Sequence, residues 1–166
     1  MTLRPARPED IPEWLRMRSG LWPDHPDHAR DIAAYFHHPS TLHTTLVADH
    51  GDGSLLGFIE LSRHGLPHRQ GTPTTHIEGW WVDPAHRSRG IGHLLLAAAE
   101  DWARAQGSHE ILSECRIDNH VSAAAHIADG FVETSRTLHF RKNLVPLSNP
   151  SHPATQRDDP ARPSAA

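Results

Sequence analysis

The sequence predicts a single α+β (mixed α/β) domain, and three observations carry that prediction. Residues 44–62 alternate as two β-rich runs around the turn His50-Gly51-Asp52-Gly53-Ser54, which reads as a hairpin. Residues 77–106 read as a strand, a glycine loop and a long apolar-striped helix. The chain has 166 residues, enough for one well-packed core and too few for two ordinary enzyme domains.

Taken in order, Leu3 to Ala6 is a short first strand. Arg7 to Leu15 begins a helix, with Pro8 and the acidic Glu9 and Asp10 in its first turn, and Trp14, Leu15, Arg18, Leu21 and Trp22 follow roughly helical spacing, with the helix ending near Ser19-Gly20. Asp27 to His38 is a second helix, stopped by Pro39. The hairpin strands are Thr44 to Asp49 and Leu55 to Ser62. His64 to Pro73, broken by Gly65, Pro67, Gly71 and Pro73, is a surface loop leading to a strand from Thr75 to Val82. A helix from His93 to Gln106 stops at Gly107. Ile111 to Cys115 is the next strand, Val121 to Ala128 the next helix, and Phe131 to Phe140 holds the last strands. The domain is expected to span residues 1–144, with a proline-rich disordered tail over 145–166.

The chemistry starts at His86-Arg87-Ser88-Arg89-Gly90-Ile91-Gly92-His93. Two glycines one residue apart let the backbone curl so that several N–H groups share one concavity, and the following helix adds its positive end. Arg87 and Arg89 surround that anion site with cations, which suits a pyrophosphate better than a lone carboxylate.

Composition excludes several function classes. The formal net charge is −4 with histidines neutral, and the 16 Lys and Arg are dispersed, so a nucleic-acid partner is not expected. The lone Cys115 cannot form an internal disulfide, no apolar run reaches membrane-spanning length, and Met1-Thr2-Leu3-Arg4-Pro5 lacks the apolar core of a signal peptide, so a cytoplasmic protein is expected. The 16 histidines include His25 with His28 and His64 with His68, but without neighbouring cysteines or a carboxylate framework they do not make a metal site.

The loop Arg87-Ser88-Arg89-Gly90-Ile91-Gly92, together with Asp118-Asn119-His120-Val121-Ser122, His126 and Gly130-Phe131, resembles the two landmarks of the GCN5-related N-acetyltransferases (GNAT), and residues 3–144 fit the family's element order. Within it, the likeness is to the aminoglycoside 6'-N-acetyltransferases, carried by the stretch Trp14 to Trp22, Gly57 to Glu60, Ile77 to Val82, Pro84 to Arg87, Ser113-Glu114 and Gly130 to Thr134. The resemblance implies the GNAT fold, a central twisted, mostly antiparallel mixed sheet flanked by helices, with a splayed strand pair holding acetyl-coenzyme A. It implies that the backbone of Ser88, Arg89, Gly90, Ile91, Gly92 and His93 holds the pyrophosphate, and that Trp80, Trp81 and Val82 lie along the pantetheine. Asn119 stands where the family bonds the pantetheine or its thiol end. A homodimer is also implied, with Thr137 to Lys142 contributing to its interface.

An aminoglycoside is a polycation, and Glu78, Glu114, Asp118 and Glu133 offer carboxylates around the strand ends. By alternation Glu78 shares a face with Trp80 and Val82, while Trp80 and Trp81 face opposite ways. Trp22 matches a substrate-lining position, where an aromatic face packs a sugar or meets an ammonium. In the implied mechanism a neutral amine attacks the thioester directly, an N–H near Val82 holds the oxyanion, Glu114 takes the amine's proton and Glu78 orients the amine. His126 occupies the place of a tyrosine thought to protonate the departing thiolate, a place where it could equally pack under the cofactor. Cys115 lacks an activating base for a covalent route. Two positions depart from the close family: the loop His64 to Gln70 is basic, and Ser135 stands where an acidic residue is usual, so polycation capture has fewer carboxylates. Competing functions are acetylation of another amine (a polyamine, an amino sugar or a protein) and a non-catalytic acyl-coenzyme A module.

Overall fold

The computed structural model describes residues 1–64, 73–140 and 142. Five strands form one sheet in the order β1-β2-β3-β4-β5: β1 (Thr2–Pro5), β2 (His43–Asp49), β3 (Leu55–His64), β4 (Thr74–Val82) and β5 (Glu110–Ser113). The first four pair antiparallel and β5 runs parallel to β4, which a helical crossover makes possible. The mixed, mostly antiparallel sheet expected from the sequence is therefore present.

The sheet is covered on both sides. Helices α1 (Ile11–Leu21) and α2 (His28–His37) pack on one face, where Trp14, Met17 and Ile32 meet Val47, Leu55 and Phe58. Helix α3 (Ile91–Ala105) packs on the other, where Ile91, Leu95, Leu96 and Ala99 meet Leu46, Ala48, Leu56, Ile59, Leu61 and Ile77. Burial on both faces explains why β3 reads as a continuous apolar run, Leu55-Leu56-Gly57-Phe58-Ile59, rather than an alternation. A final helix, α4 (His120–Ala128), follows β5 and buries none of its residues.

The pairing of β4 with β5 stops early. It runs from Thr74 opposite Glu110 to Ile77 opposite Ser113, after which β4 continues to Val82 with only β3 beside it among the described residues. That unpaired edge is the splay on which the site is built.

Three expectations are corrected. Phe131 to Phe140 contains no strand: its apolar residues have the β propensity, but a strand needs a ladder partner, and Val132, Leu138 and Phe140 stand 81%, 73% and 92% exposed. Strand β5 ends at Ser113, so Glu114 and Cys115 lie beyond it. A bulge interrupts β4: Glu60 pairs with Gly79 and Leu61 with Ile77, which leaves Glu78 without a partner and breaks the alternation on which its facing rested. Helix boundaries otherwise shift by one or two residues, and a separate 3-10 turn, Pro8–Asp10, precedes α1. Residues 1–133 form one compact unit; the chain from Thr134 belongs to a second, whose described residues carry no helix or strand. The loop residues 65–72 and the 145–166 tail lie outside the described residues.

Candidate active site

The donor side is made by main chain. Ser88 and Gly90 both have positive φ, 58° and 77°, so the backbone between β4 and α3 turns sharply, and Gly90 caps the helix. A methyl built on Gly90 would meet nothing within 4 Å, so the space beside this residue is open. Two residues later, a methyl on Gly92 would stand 3.6 Å from Trp80 Nε1, and that buried indole N–H has no acceptor among the described residues. An open nest of N–H groups with an unpaired indole donor beside it fits a phosphorylated ligand with an amide-bearing arm. Arg89 is exposed at the rim. Arg87 instead braces the end of β4, its Nε donating to the Val82 carbonyl at 3.0 Å and its guanidinium lying 4.7 Å from the Trp81 ring centroid.

The edge of β4 facing the splay carries free amides. Asp83 N–H donates to the Leu56 carbonyl, and pairing is regular from Trp80 to Val82, so the N–H groups of Trp80 and Val82 point away from β3 into the opening. The two tryptophans divide as expected, and their directions are now fixed. Trp80 packs with the α3-side core and against His126, whereas Trp81 packs with the α1 and α2 side.

The opposite face carries an acidic site. Because of the bulge, Glu78 comes out with Ser62 and His64 of β3 on the α1 and α2 side, not with Trp80 and Val82. Ser62 Oγ–H donates to Glu78 Oε1, and His64 Nε2 lies 2.7 Å from Ser62 Oγ and 3.3 Å from Glu78 Oε1. Burial pushes the Glu78 carboxyl up, but the hydrogen bonds from Ser62 and His64, with the charges of His64 and His76, outweigh it, and its pKa lies below the usual value. Trp22 seals the neighbouring Gly79 so closely that a methyl there would lie 2.5 Å from Trp22 Cη2. Arg18 stacks over Trp22 at 5.1 Å and pairs with Glu60 at 3.2 Å, while Trp14 Nε1–H donates to Glu60 at 2.8 Å. Ser62, His64 and Glu60 were not singled out as site residues; a lone serine or histidine in a strand has no pattern to mark it.

The remaining expected residues are spread differently. Asn119 is the N-cap of α4, its Oδ1 accepting from Ser122 N–H at 3.1 Å, so its amide N–H groups remain for a ligand. Asp118 is held bidentately by Arg116, which keeps its carboxyl below the usual range and neutralises it as a cation trap. Glu114 is exposed and makes no hydrogen bond or ion pair among the described residues. Glu133 closes the first unit and Ser135 falls in the second. His126 is tightly placed: its ring packs edge-on to Trp80 and Phe131, and its nitrogens meet Ser122 and Ser113. Among the described residues no group of three histidine, cysteine or carboxylate side chains is placed to hold a metal ion.

A glycine turn opening a helix beside a splayed β4–β5 edge suits a phosphorylated acyl carrier, and the family model for the acetyltransferase (GNAT) family matches residues 9–131. The chain belongs to that family. It is 35% identical over 147 residues to an aminoglycoside N(6')-acetyltransferase type 1 of Stenotrophomonas maltophilia, covering 87% of this chain and 95% of the relative. It is 38% identical over 149 residues to the enzyme of the same name from Klebsiella aerogenes, covering 86% and 96%. Among solved structures it is similar to AAC(6')-Iy in complex with the bisubstrate analogue CoA-S-monomethyl-acetylneamine, with TM-score 0.73, 29% identity and coverage of 86% and 97%. AAC(6')-Ih from Acinetobacter baumannii gives TM-score 0.74 at 30% identity, with coverage of 86% and 98%.

Proposed function

We propose that this protein transfers the acetyl group of acetyl-coenzyme A to the 6'-amine of an aminoglycoside, in a ternary complex, with residues 1–144 as the catalytic domain. The observation that carries the acceptor assignment is Glu78: a half-exposed, ionised carboxylate brought by a bulge to the edge of the splay, with Trp22 sealing the residue beside it. The relatives' names support the same reading.

The donor brings an activated acyl carbon, and the chain's work is placement. Main-chain N–H groups of the 88–93 loop receive the pyrophosphate, and the arm follows the open edge of β4 from Val82 toward Ile77. The five residue steps from Val82 to Ile77, one of them bulged, span roughly 13–16 Å, which puts the thioester near the apex, where Ile77 faces Ser113. The N–H groups of Trp80 and Val82 face this path; Trp80, the nearer to the apex, is the oxyanion donor in this arrangement. Proximity then supplies most of the rate. Glu78 anchors the ammonium as a fixed anion, because its depressed pKa makes it a poor proton acceptor, and the partner-free Glu114 takes the proton.

Coenzyme A thiol release measured with kanamycin, spermidine and a lysine peptide tests the reading. Kanamycin is expected to give a kcat/KM at least about 100-fold above the others; equal or lower efficiency with kanamycin overturns it. Glu78→Gln is expected to raise the acceptor KM about tenfold, and Glu114→Gln to act mainly on kcat. Since the folded pKa of Glu78 is depressed, its charge, and with it acceptor capture, persists as pH falls to the ordinary carboxylate pKa of about 4.5 and is lost only below that. An acceptor KM that climbs through pH 6 to 5 in wild type and not in Glu78→Gln would contradict this assignment.

A cytoplasmic location agrees with the donor's chemistry; no helix among the described residues is long and apolar enough to cross a membrane. A homodimer agrees with the apolar residues left exposed on and around α4, namely Leu112, Ile117, Val121, Ile127 and Val132. Sedimentation at micromolar concentration tests it.

A further inference from the structure

His126 is bonded in a way that fixes its tautomer. Nδ1 lies 2.7 Å from the Ser122 carbonyl oxygen, which can only accept, so Nδ1 carries the hydrogen. In the neutral ring Nε2 is then a bare lone pair, and at 2.7 Å it accepts from the Ser113 hydroxyl. No face of this imidazole nitrogen is left for a ligand: Trp80 and Phe131 pack on the ring, and Ser113 occupies Nε2. Ser113 itself stands at the last rung of the β4–β5 ladder, opposite Ile77, where the splay begins. Of the titratable groups on the surrounding elements, Asp129 of α4 and His93 of α3 are bonded to each other at 2.8 Å, while β4 and β5 present Trp80 and Ser113 to the ring.

We propose that Ser113 is a catalytic residue: its hydroxyl hands a proton to the departing coenzyme A sulfur and is resupplied by His126. The proposal rests on the acetyl-transfer reading above. In the working form His126 is an imidazolium, with Nδ1–H on the Ser122 carbonyl and Nε2–H donating to Ser113 Oγ, which turns the hydroxyl hydrogen outward. The acceptor nitrogen forms its bond to the carbonyl carbon, the carbon–sulfur bond breaks, and the electron pair stays on sulfur. Ser113 Oγ–H passes its proton to sulfur and takes one from Nε2, leaving neutral His126. The proton lost by the acetylated amine goes to a carboxylate and then to water, from which His126 is recharged. His126 therefore acts through Ser113 rather than on the sulfur directly.

The test pairs kinetics with a binding measurement that needs no turnover. Ser113→Ala is expected to lower kcat about 100-fold, the scale of general-acid catalysis, with the KM for acetyl-coenzyme A within twofold, and Ser113→Thr, which keeps a hydroxyl, to recover most of the loss. By calorimetry, wild type is expected to bind coenzyme A several-fold more tightly than desulfo-coenzyme A, and Ser113→Ala to bind both alike while keeping the wild-type affinity for desulfo-coenzyme A, which also shows that the site is intact. A Ser113→Ala kcat within twofold of wild type, a threonine variant as impaired as alanine, or a sulfur preference unchanged by Ser113→Ala overturns the proposal. Wild type that binds neither analogue refutes the donor reading itself; wild type that binds both equally refutes only the role of Ser113.

Discussion

Helices α3 and α4 lie on the same side of the sheet and hold opposite ends of the proposed donor site, yet they are fixed by different forces. Helix α3 inserts Ile91, Leu95, Leu96, Ala99 and Ala103 into the core, so the glycine nest at its start is positioned by apolar burial. Helix α4 is no less apolar in sequence but buries nothing; Val121 and Ile127 are 79% and 59% exposed. It is held by polar and aromatic contacts instead: the Asn119 cap, the His93–Asp129 pair, and His126 against Ser113, Trp80 and Phe131. One helix is set by apolar burial and the other by specific polar and ring contacts, so α4 has less buried apolar area to resist local opening.

That contrast can be broken from either side. Leu95→Ala, at a position with no exposure, is expected to lower stability by about 2–5 kcal/mol in thermal or denaturant unfolding. Gly90→Val forces a β-branched residue into a left-handed backbone at a cost of about 1–2 kcal/mol, and its larger signature is a rise of at least about tenfold in the KM for acetyl-coenzyme A, with the acceptor KM unchanged. Asn119→Ala removes the α4 cap and is expected to cost about 1 kcal/mol, read mostly as faster amide exchange in α4. Ile127→Ser is expected to change monomer stability by less than about 0.5 kcal/mol and to show itself in the association constant by sedimentation. If Ile127→Ser were as damaging as Leu95→Ala, the distinction between the two helices would be wrong.

What the sequence made legible follows the same division. The stripe of α3, the hairpin and the Gly90-Ile91-Gly92 turn are periodic or conformational signals written in consecutive residues, and they led to the family and the donor site. The bulge at Glu78 was not legible as such, because it arises from the pairing of β3 with β4 and the skipped partner depends on both strands. Gly79 was the one available hint, since a glycine inside a strand marks a close approach, here of Trp22. The strands expected after Phe131 failed for a related reason: propensity is local, whereas a ladder needs a second edge. Ser113 and Arg116 could not be assigned because their meaning lies in what they touch, His126 and Asp118 respectively.

Trp81 lies between the proposed donor and acceptor half-sites. On one side it meets Gly20 in the last turn of α1, where a methyl would stand 3.0 Å from its ring, and on the other it carries the Arg87 guanidinium of the donor loop. Two residues after Gly20 comes Trp22, which seals Gly79 on the acceptor side. A donor that moves Arg87 therefore changes the energy of α1's last turn, and an acceptor that moves Trp22 changes the energy of the donor loop. Where both movements occur, the two binding events are coupled through Trp81, and linkage then requires the donor to change acceptor affinity by the same factor by which the acceptor changes donor affinity.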